Sequence, residues 1–350
     1  MDQKITALLE DIESRIIPGN ERDYNAQWDD FLNGGFKGDV FRPERKIKSV
    51  SAIERTDINI NDAIEDYDLM MLSQLQGVSD ALNSSRPLNL RANYGTGILS
   101  SLFGLKIFIM PYHTNTLPTT IPLNDTDKIR EIAAKNEYNV KTSLGRKVFE
   151  MGEYFMETFA AYPKIKEFVE IYHPDLQGPL DVCELVWGSE MFYQLYDDPA
   201  LVHSVMSLIT EAYTGFLREW FMLVGQPKEI NSHWGIKMKG GIMLRDDSAM
   251  NLSPEMYREY AFKYDDILLK RFNGGAVHFC GRGDHYIETL SGAEKLTAIN
   301  LSQPHLNDME KIYKNTVDSI KNIKLLEFSR TRAEEDLRRE GGYHGNMHAG

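Results

Sequence analysis

His278 and Cys280 are the two residues of this chain whose types and spacing best suit chemistry. They lie two apart at the end of a short apolar run, residues 276–279, and Gly281 and Gly283 follow. On a β-strand, residues two apart project to the same side, so an imidazole and a thiol leave this strand together. Such a pair supplies half of a tetrahedral zinc site. The glycines let the backbone turn away tightly and leave room beside the two side chains. Asp284 and His285 open the next predicted helix, where free N–H groups favour an anion. The same residues also suit a small buried thiol beside a hydrogen-bonded histidine, with no metal.

Other predicted strands also end in polar residues. Residues 168–172 lead into Asp175 and Gln177, ahead of Gly178-Pro179. Residues 241–244 lead into Arg245, Asp246, Asp247 and Ser248, and residues 296–301 into Ser302, Gln303, Pro304 and His305. Helical segments separate them; the longest is predicted to start at Asp197-Asp198-Pro199, a good cap followed by a good first-turn residue, and to stop at Gly225. From about residue 87 onward the order is strand, polar terminus, helix, repeated, which implies a parallel sheet covered by helices. Seven or eight candidate strands, with no dinucleotide fingerprint after the first, favour an α/β fold of the closed (β/α)8 TIM-barrel type over an open doubly wound sheet. Such barrels carry their chemistry at the carboxyl ends of the strands. Residues 1–85 read as helices and loops without chemistry, an N-terminal helical extension that caps the barrel of residues 86–350.

Lys and Arg number 39 against 52 Asp and Glu, a formal net charge of −13, which argues against a general nucleic-acid binder. No apolar run approaches the roughly 18 residues of a membrane span, and the first residues lack the charged-then-apolar order of a signal peptide. Cys183 and Cys280 alone cannot build a disulfide framework. These features together predict a cytoplasmic protein acting on a small molecule, without nucleic acid or membrane.

In their order along the chain, the motifs resemble the uroporphyrinogen decarboxylase superfamily. The likeness is carried by residues 173–213, with Gln177-Gly178-Pro179 and Asp197-Asp198-Pro199 followed by Val202-His203. It continues through residues 242–260, with Asp246-Asp247 ahead of Ser253-Pro254-Glu255, and residues 278–290, which open with His278-Phe279-Cys280-Gly281. It covers roughly the last half of the chain and implies a (β/α)8 barrel. True decarboxylases of this superfamily have an arginine-rich N-terminal segment and an early aspartate near the tetrapyrrole nitrogens. Here Arg42 and Arg45 match that segment poorly, and Arg91-Ala92-Asn93-Tyr94-Gly95 stands where the aspartate is expected. The branch of methyltransferases that work with corrinoid proteins is closer. Its His-x-Cys pair binds zinc together with a later Cys, and here no Cys follows position 280.

The resemblance implies a methyltransferase in which His278 and Cys280 hold Zn2+, with the third ligand from His348, or from His305 or His344. Asp246 and Asp175 are the expected catalytic carboxylates. Tyr94, Gln177, Arg245, Asp247, Arg282, His285 and Gln303 are the expected substrate contacts. A corrinoid on a partner protein, or a folate-like molecule, would carry the methyl group. One alternative is a metal-free carboxy-lyase acting on a tetrapyrrole, with Arg245, Arg282 and His285 binding carboxylates. The other is a non-catalytic corrinoid-associated binding protein.

Overall fold

Four parallel strands, Ile242–Arg245, Gly275–Phe279, Leu296–Leu301 and Lys324–Phe328, lie side by side in the computed structural model, which describes residues 3–338 and 342–350. Met347–Ala349 pairs on the outside of Lys324–Phe328, and Val40–Phe41 on the outside of Met347–Ala349, to give a six-stranded parallel sheet. Asn89–Leu90 and Glu170–Ile171 form a separate parallel pair. The fold is mixed α/β, and the hydrogen-bonded sheet is not the closed cylinder that the sequence predicts.

Two antiparallel pairs stand outside the parallel series. Ile107–Phe108 pairs antiparallel with Thr119–Thr120, and Ile230–His233 forms an antiparallel hairpin with Ile236–Lys239. The seam beside Ile242–Arg245 has its own cause. The Met243 N–H donates to Nε2 of His173 at 3.0 Å, so a side chain takes the place of a ladder carbonyl. Just beyond it, the Gly178 N–H reaches the Arg245 carbonyl at 2.7 Å.

The helices follow their caps. Asp198 accepts the Leu201 N–H at 3.1 Å, Pro199 occupies the first turn, and the helix Pro199–Val224 ends at Gly225 with φ +108°. The helical stretch after Ser253 is divided into Pro254–Met256, a π-helical turn Tyr257–Phe262 and Lys263–Arg271. The π turn brings the Tyr257 hydroxyl beside the buried Asp246 carboxyl.

The sheet's two faces pack differently. Leu244, Val277, Ile299 and Leu325 join the main core under the helices. Met243, Ala276, Ala298 and Leu326 on the other face pack against Trp28 and Phe31 of the helix Pro18–Leu32, and against Ile236 and Met238 of the hairpin. Two alanines side by side leave room for those rings. The N-terminal segment is therefore part of the body of the fold. Ile5, Leu8 and Ile12 lie in the main core, Val40–Phe41 is a sheet strand, and the buried Arg45 guanidinium joins Glu21 at 2.7 Å and the carbonyls of Ala81, Ser84 and Arg86 at 2.7 to 2.9 Å. The predicted boundary at residue 85 divides nothing in this core. Among the described residues no helix is long and apolar enough to cross a membrane.

Candidate metal centre and its cavity

Strand register decides which side chains meet. Met243 and Ala298 flank Ala276, and one step along the same face Arg245 and Asn300 flank His278. The apolar layer thus gives way to a polar one at the carboxyl ends of the strands.

Nδ1 of His278 lies 2.5 Å from Oδ1 of Asn300, and the Asn300 amide nitrogen donates to the Leu326 carbonyl at 2.7 Å. This second bond turns the amide oxygen toward the ring, so Nδ1 carries the hydrogen and Nε2 keeps its lone pair. Nε2 sits 3.4 Å from Sγ of Cys280 and 3.6 Å from Oδ1 of Asp247. The same Asp247 oxygen accepts the Cys280 N–H at 2.7 Å, and the Ser302 hydroxyl donates to Sγ at 3.1 Å. One donor atom each from Asp247, His278 and Cys280 lies within 4.8 Å of the others. On a tetrahedral zinc, with bonds of about 2.3 Å to sulfur and 2.0 Å to nitrogen, those two atoms stand about 3.5 Å apart. The Cys280–His278 pair is already spaced to fit the ion.

The third member differs from the sequence expectation. His348 accepts the Glu327 N–H at Nδ1, at 3.0 Å, and its ring packs 4.8 Å from that of Trp28. Burial pushes its pKa down to about 3. His344 stands 3.4 Å from Asp318, and His305 is exposed on the turn Pro304–Leu306. Asp247, predicted as a substrate contact, takes the place expected of a histidine.

Burial raises the Cys280 thiol above its ordinary range, with the Ser302 hydrogen bond pulling the other way. Burial also lowers His278, which favours the neutral ring that a metal requires. The turn after Cys280 is pinned. Gly281 has φ +75°, and a Cβ there would meet Sδ of Met250 at 2.6 Å. Gln303 accepts the Gly281 N–H at 2.5 Å, and Asn307 accepts those of Gly283 and Asp284 at 2.7 and 3.0 Å. Gln303 therefore shapes the turn. Arg282 pairs with Asp284 at 2.7 Å, and His285 donates to the Leu252 carbonyl at 2.9 Å. Both serve the loop, and neither belongs to the cluster of donor atoms.

Asp175 anchors a second polar centre. It pairs with Arg91 and Arg245, accepts from Trp234 Nε1 at 3.1 Å, and lies 3.4 Å from His233 Nε2. Burial alone would raise its pKa, but the two guanidiniums more than offset this and hold the carboxyl well below its usual range. Gln177, at φ +63°, accepts from Arg245 at 2.8 Å and donates to Asp181 at 3.2 Å, its amide oriented as those neighbours require. The Arg245 guanidinium lies 4.3 Å over the Trp234 ring, whose plane meets the His278 ring edge-on at 5.0 Å. Asp175, Gln177 and Arg245 thus support the His278 ring through Trp234.

Asp246, predicted to be catalytic, is wholly buried and faces Asp265. Burial, then the Asp265 charge, holds Asp246 well above the usual carboxyl range, and burial pushes Asp265 up to about 7. Burial and the neighbouring Asp265 thus favour the protonated form of Asp246. Tyr94 is buried in the main core, where its charged neighbours are Glu150 and Glu65.

Asn300, Ser302, Trp234 and Asp181 are the residues that sequence reasoning missed. Asn300 had a signal, as the one amide in the apolar strand 296–301, in register with His278. Asp181 had none; it accepts the Asp247 and Ser248 N–H groups at 3.1 and 2.8 Å and fixes their turn.

A cavity of about 460 Å3 opens beside Asp247, lined also by Ser248, Gln177, Asp181, Glu184, Glu190, Pro122 and Leu185. Another, of about 410 Å3, lies among Phe168, Tyr172, Phe221 and Pro227 and includes no member of the cluster. No protein-family model matches this sequence, and no curated protein matches it either.

Proposed function

We propose that the chain is a zinc-assisted methyltransferase of the uroporphyrinogen decarboxylase superfamily, on a (β/α)8-type barrel whose hydrogen bonding is interrupted at its seams. The observation that carries this reading is the convergence of Cys280, His278 and Asp247 at one strand end, with the first two already at a spacing that fits zinc. Three protein ligands leave a fourth position open, the pattern of catalytic zinc. When bound, the ion supplies the Lewis acidity that keeps a substrate thiol deprotonated near neutral pH.

The chain's own residues do the rest. Asn300 fixes the His278 tautomer so that Nε2 faces the ion. Cys280 gives up its proton on binding, and the Ser302 hydroxyl stabilises the resulting thiolate. Asp247 balances charge and holds the Cys280 backbone in place. Trp234, backed by Arg245 and Asp175, keeps the imidazole from swinging away. The acceptor occupies the cavity beside Asp247, and the methyl group comes from a corrinoid on a partner protein or from a folate-like molecule.

The carboxy-lyase alternative is weaker because the cations it needs are committed. Arg91 and Arg245 pair with Asp175, Arg282 with Asp284 and Arg45 with Glu21. Metal analysis of untagged protein is expected to give about one zinc per chain, and the His278→Ala, Cys280→Ala double variant is expected to lose both the metal and methyl transfer. Unchanged metal content and turnover in that variant would end the proposal. Corrinoid-protein binding without turnover would favour the non-catalytic alternative instead.

A further inference from the structure

We infer that the acceptor at this site is cationic: a small thiol bearing a protonated amine, with the ammonium held in the cavity beside Asp247. The inference rests on the methyltransferase reading and narrows its substrate.

Every ionisable side chain lining the cavity among the described residues is acidic: Asp181, Glu184, Glu190 and Asp247. The nearby Arg245 guanidinium is occupied by Asp175 and Gln177 and does not line the cavity. Asp247 belongs both to the cavity wall and to the cluster of metal donors, so a ligand bound through sulfur at the open position places its other end among these carboxylates. Asp181 forms the buried part of the wall, where it accepts the Asp247 and Ser248 N–H groups.

An anionic thiol, such as a sulfonate or carboxylate, would add like charge to this wall and find no cation to pair with. An amino acid would bring a carboxylate with the same difficulty. A primary ammonium relieves the repulsion and supplies three donors to groups that can only accept when ionised. Pro122 and Leu185 give the connecting methylenes an apolar surface.

Calorimetry with three thiols of similar size tests this directly: 2-aminoethanethiol, 2-mercaptoethanol and 2-mercaptoethanesulfonate, each titrated into zinc-loaded protein. The amine is expected to bind about tenfold or more tightly than the neutral thiol, with the sulfonate weakest. The preference should shrink as salt is raised and in the Glu184→Gln, Glu190→Gln double variant. Propylamine, which has no thiol, is titrated into metal-stripped protein as a readout independent of zinc. It should bind weakly but measurably, and more weakly still in the double variant. Equal affinity for the amine and the neutral thiol overturns the inference and leaves the metal reading standing. Propylamine binding that the double variant weakens, in a protein that takes up no zinc, upholds the cationic cavity and removes the metal reading.

Discussion

Cys280 holds its thiol 3.4 Å from Nε2 of His278. Burial raises the thiol and lowers the imidazole of His278, so the uncharged form of each is favoured. On the zinc reading proposed above, a dication would replace that thiol proton. The hold on such an ion would depend on Asn300, which fixes the His278 ring through Nδ1. Asn300→Ala is expected to weaken zinc by about 10- to 100-fold, read by chelator competition, while thermal unfolding of the metal-free protein moves little by comparison. Unaltered affinity would show that the ring is oriented by Trp234 alone. The neighbouring Asp246–Asp265 pair gives a different prediction. Its raised Asp265 pKa, about 7 against an ordinary 3.8, means that the folded state binds the extra proton between those values. The pair's contribution is therefore greatest at low pH and is lost as pH rises through the raised value. Asp265→Asn removes that titration, so its urea midpoint should fall less than wild type between pH 5 and pH 8. Parallel slopes would refute the raised Asp265 pKa.

Among elements, the strand ends were legible and their partners were not. An apolar run stopping in His, Asp or Gln marks the carboxyl end of a parallel strand, and residues 242–245, 275–279, 296–301 and 324–328 all form strands there. Nothing in the composition of residues 230–233 distinguishes a hairpin strand from a sheet strand. That distinction rests on Trp234 adopting φ +50° at the turn, which tertiary packing imposes. Adjacent aspartates were equally opaque. Asp246 ends a strand facing inward and Asp247 begins the short 3-10 turn Asp247–Asn251, so one carboxyl is sealed and the next is open to the cavity. The seam at His173 could not be read either, because a histidine replacing a ladder carbonyl leaves no periodic trace. It does leave a pH signature. Burial lowers His173 from 6.5 to about 4, so between those values only the unfolded chain takes up the proton. Stability from this group is complete above pH 6.5 and declines as pH falls toward 4, by roughly 3 kcal/mol. His173→Gln should be less stable than wild type at pH 7.5 yet lose less on acidification to pH 4.5, measured by urea denaturation. An acid slope equal to that of wild type would place the titrating group elsewhere.

Over the whole molecule, the N-terminal segment and the candidate metal centre share one supporting layer. Ala276 and Ala298 sit two residues before His278 and Asn300 on the same strands and the same face, and they pack in the cluster that contains Trp28 and Phe31. The sequence reads residues 1–85 only as helices and loops, and the destination of the helix Pro18–Leu32 depends on two alanines some 250 residues later in the chain, a pairing that one sequence cannot reveal. If residues 18–32 are packed onto this face of the sheet, they should open only when the sheet opens. Hydrogen exchange under native conditions should then give the amides of residues 18–32 the same opening free energy as those of residues 275–279 and 296–301. Trp28→Ala, which removes a fully buried ring and should cost about 3–5 kcal/mol, should lower both sets together. It should also weaken zinc, although Trp28 touches none of the proposed ligands, because the strands that present His278 and Asn300 lose their inner support. A helix that exchanges freely while the strands stay protected, or zinc affinity unaffected by the loss of the indole, would mean that the N-terminal segment is a detachable cover after all.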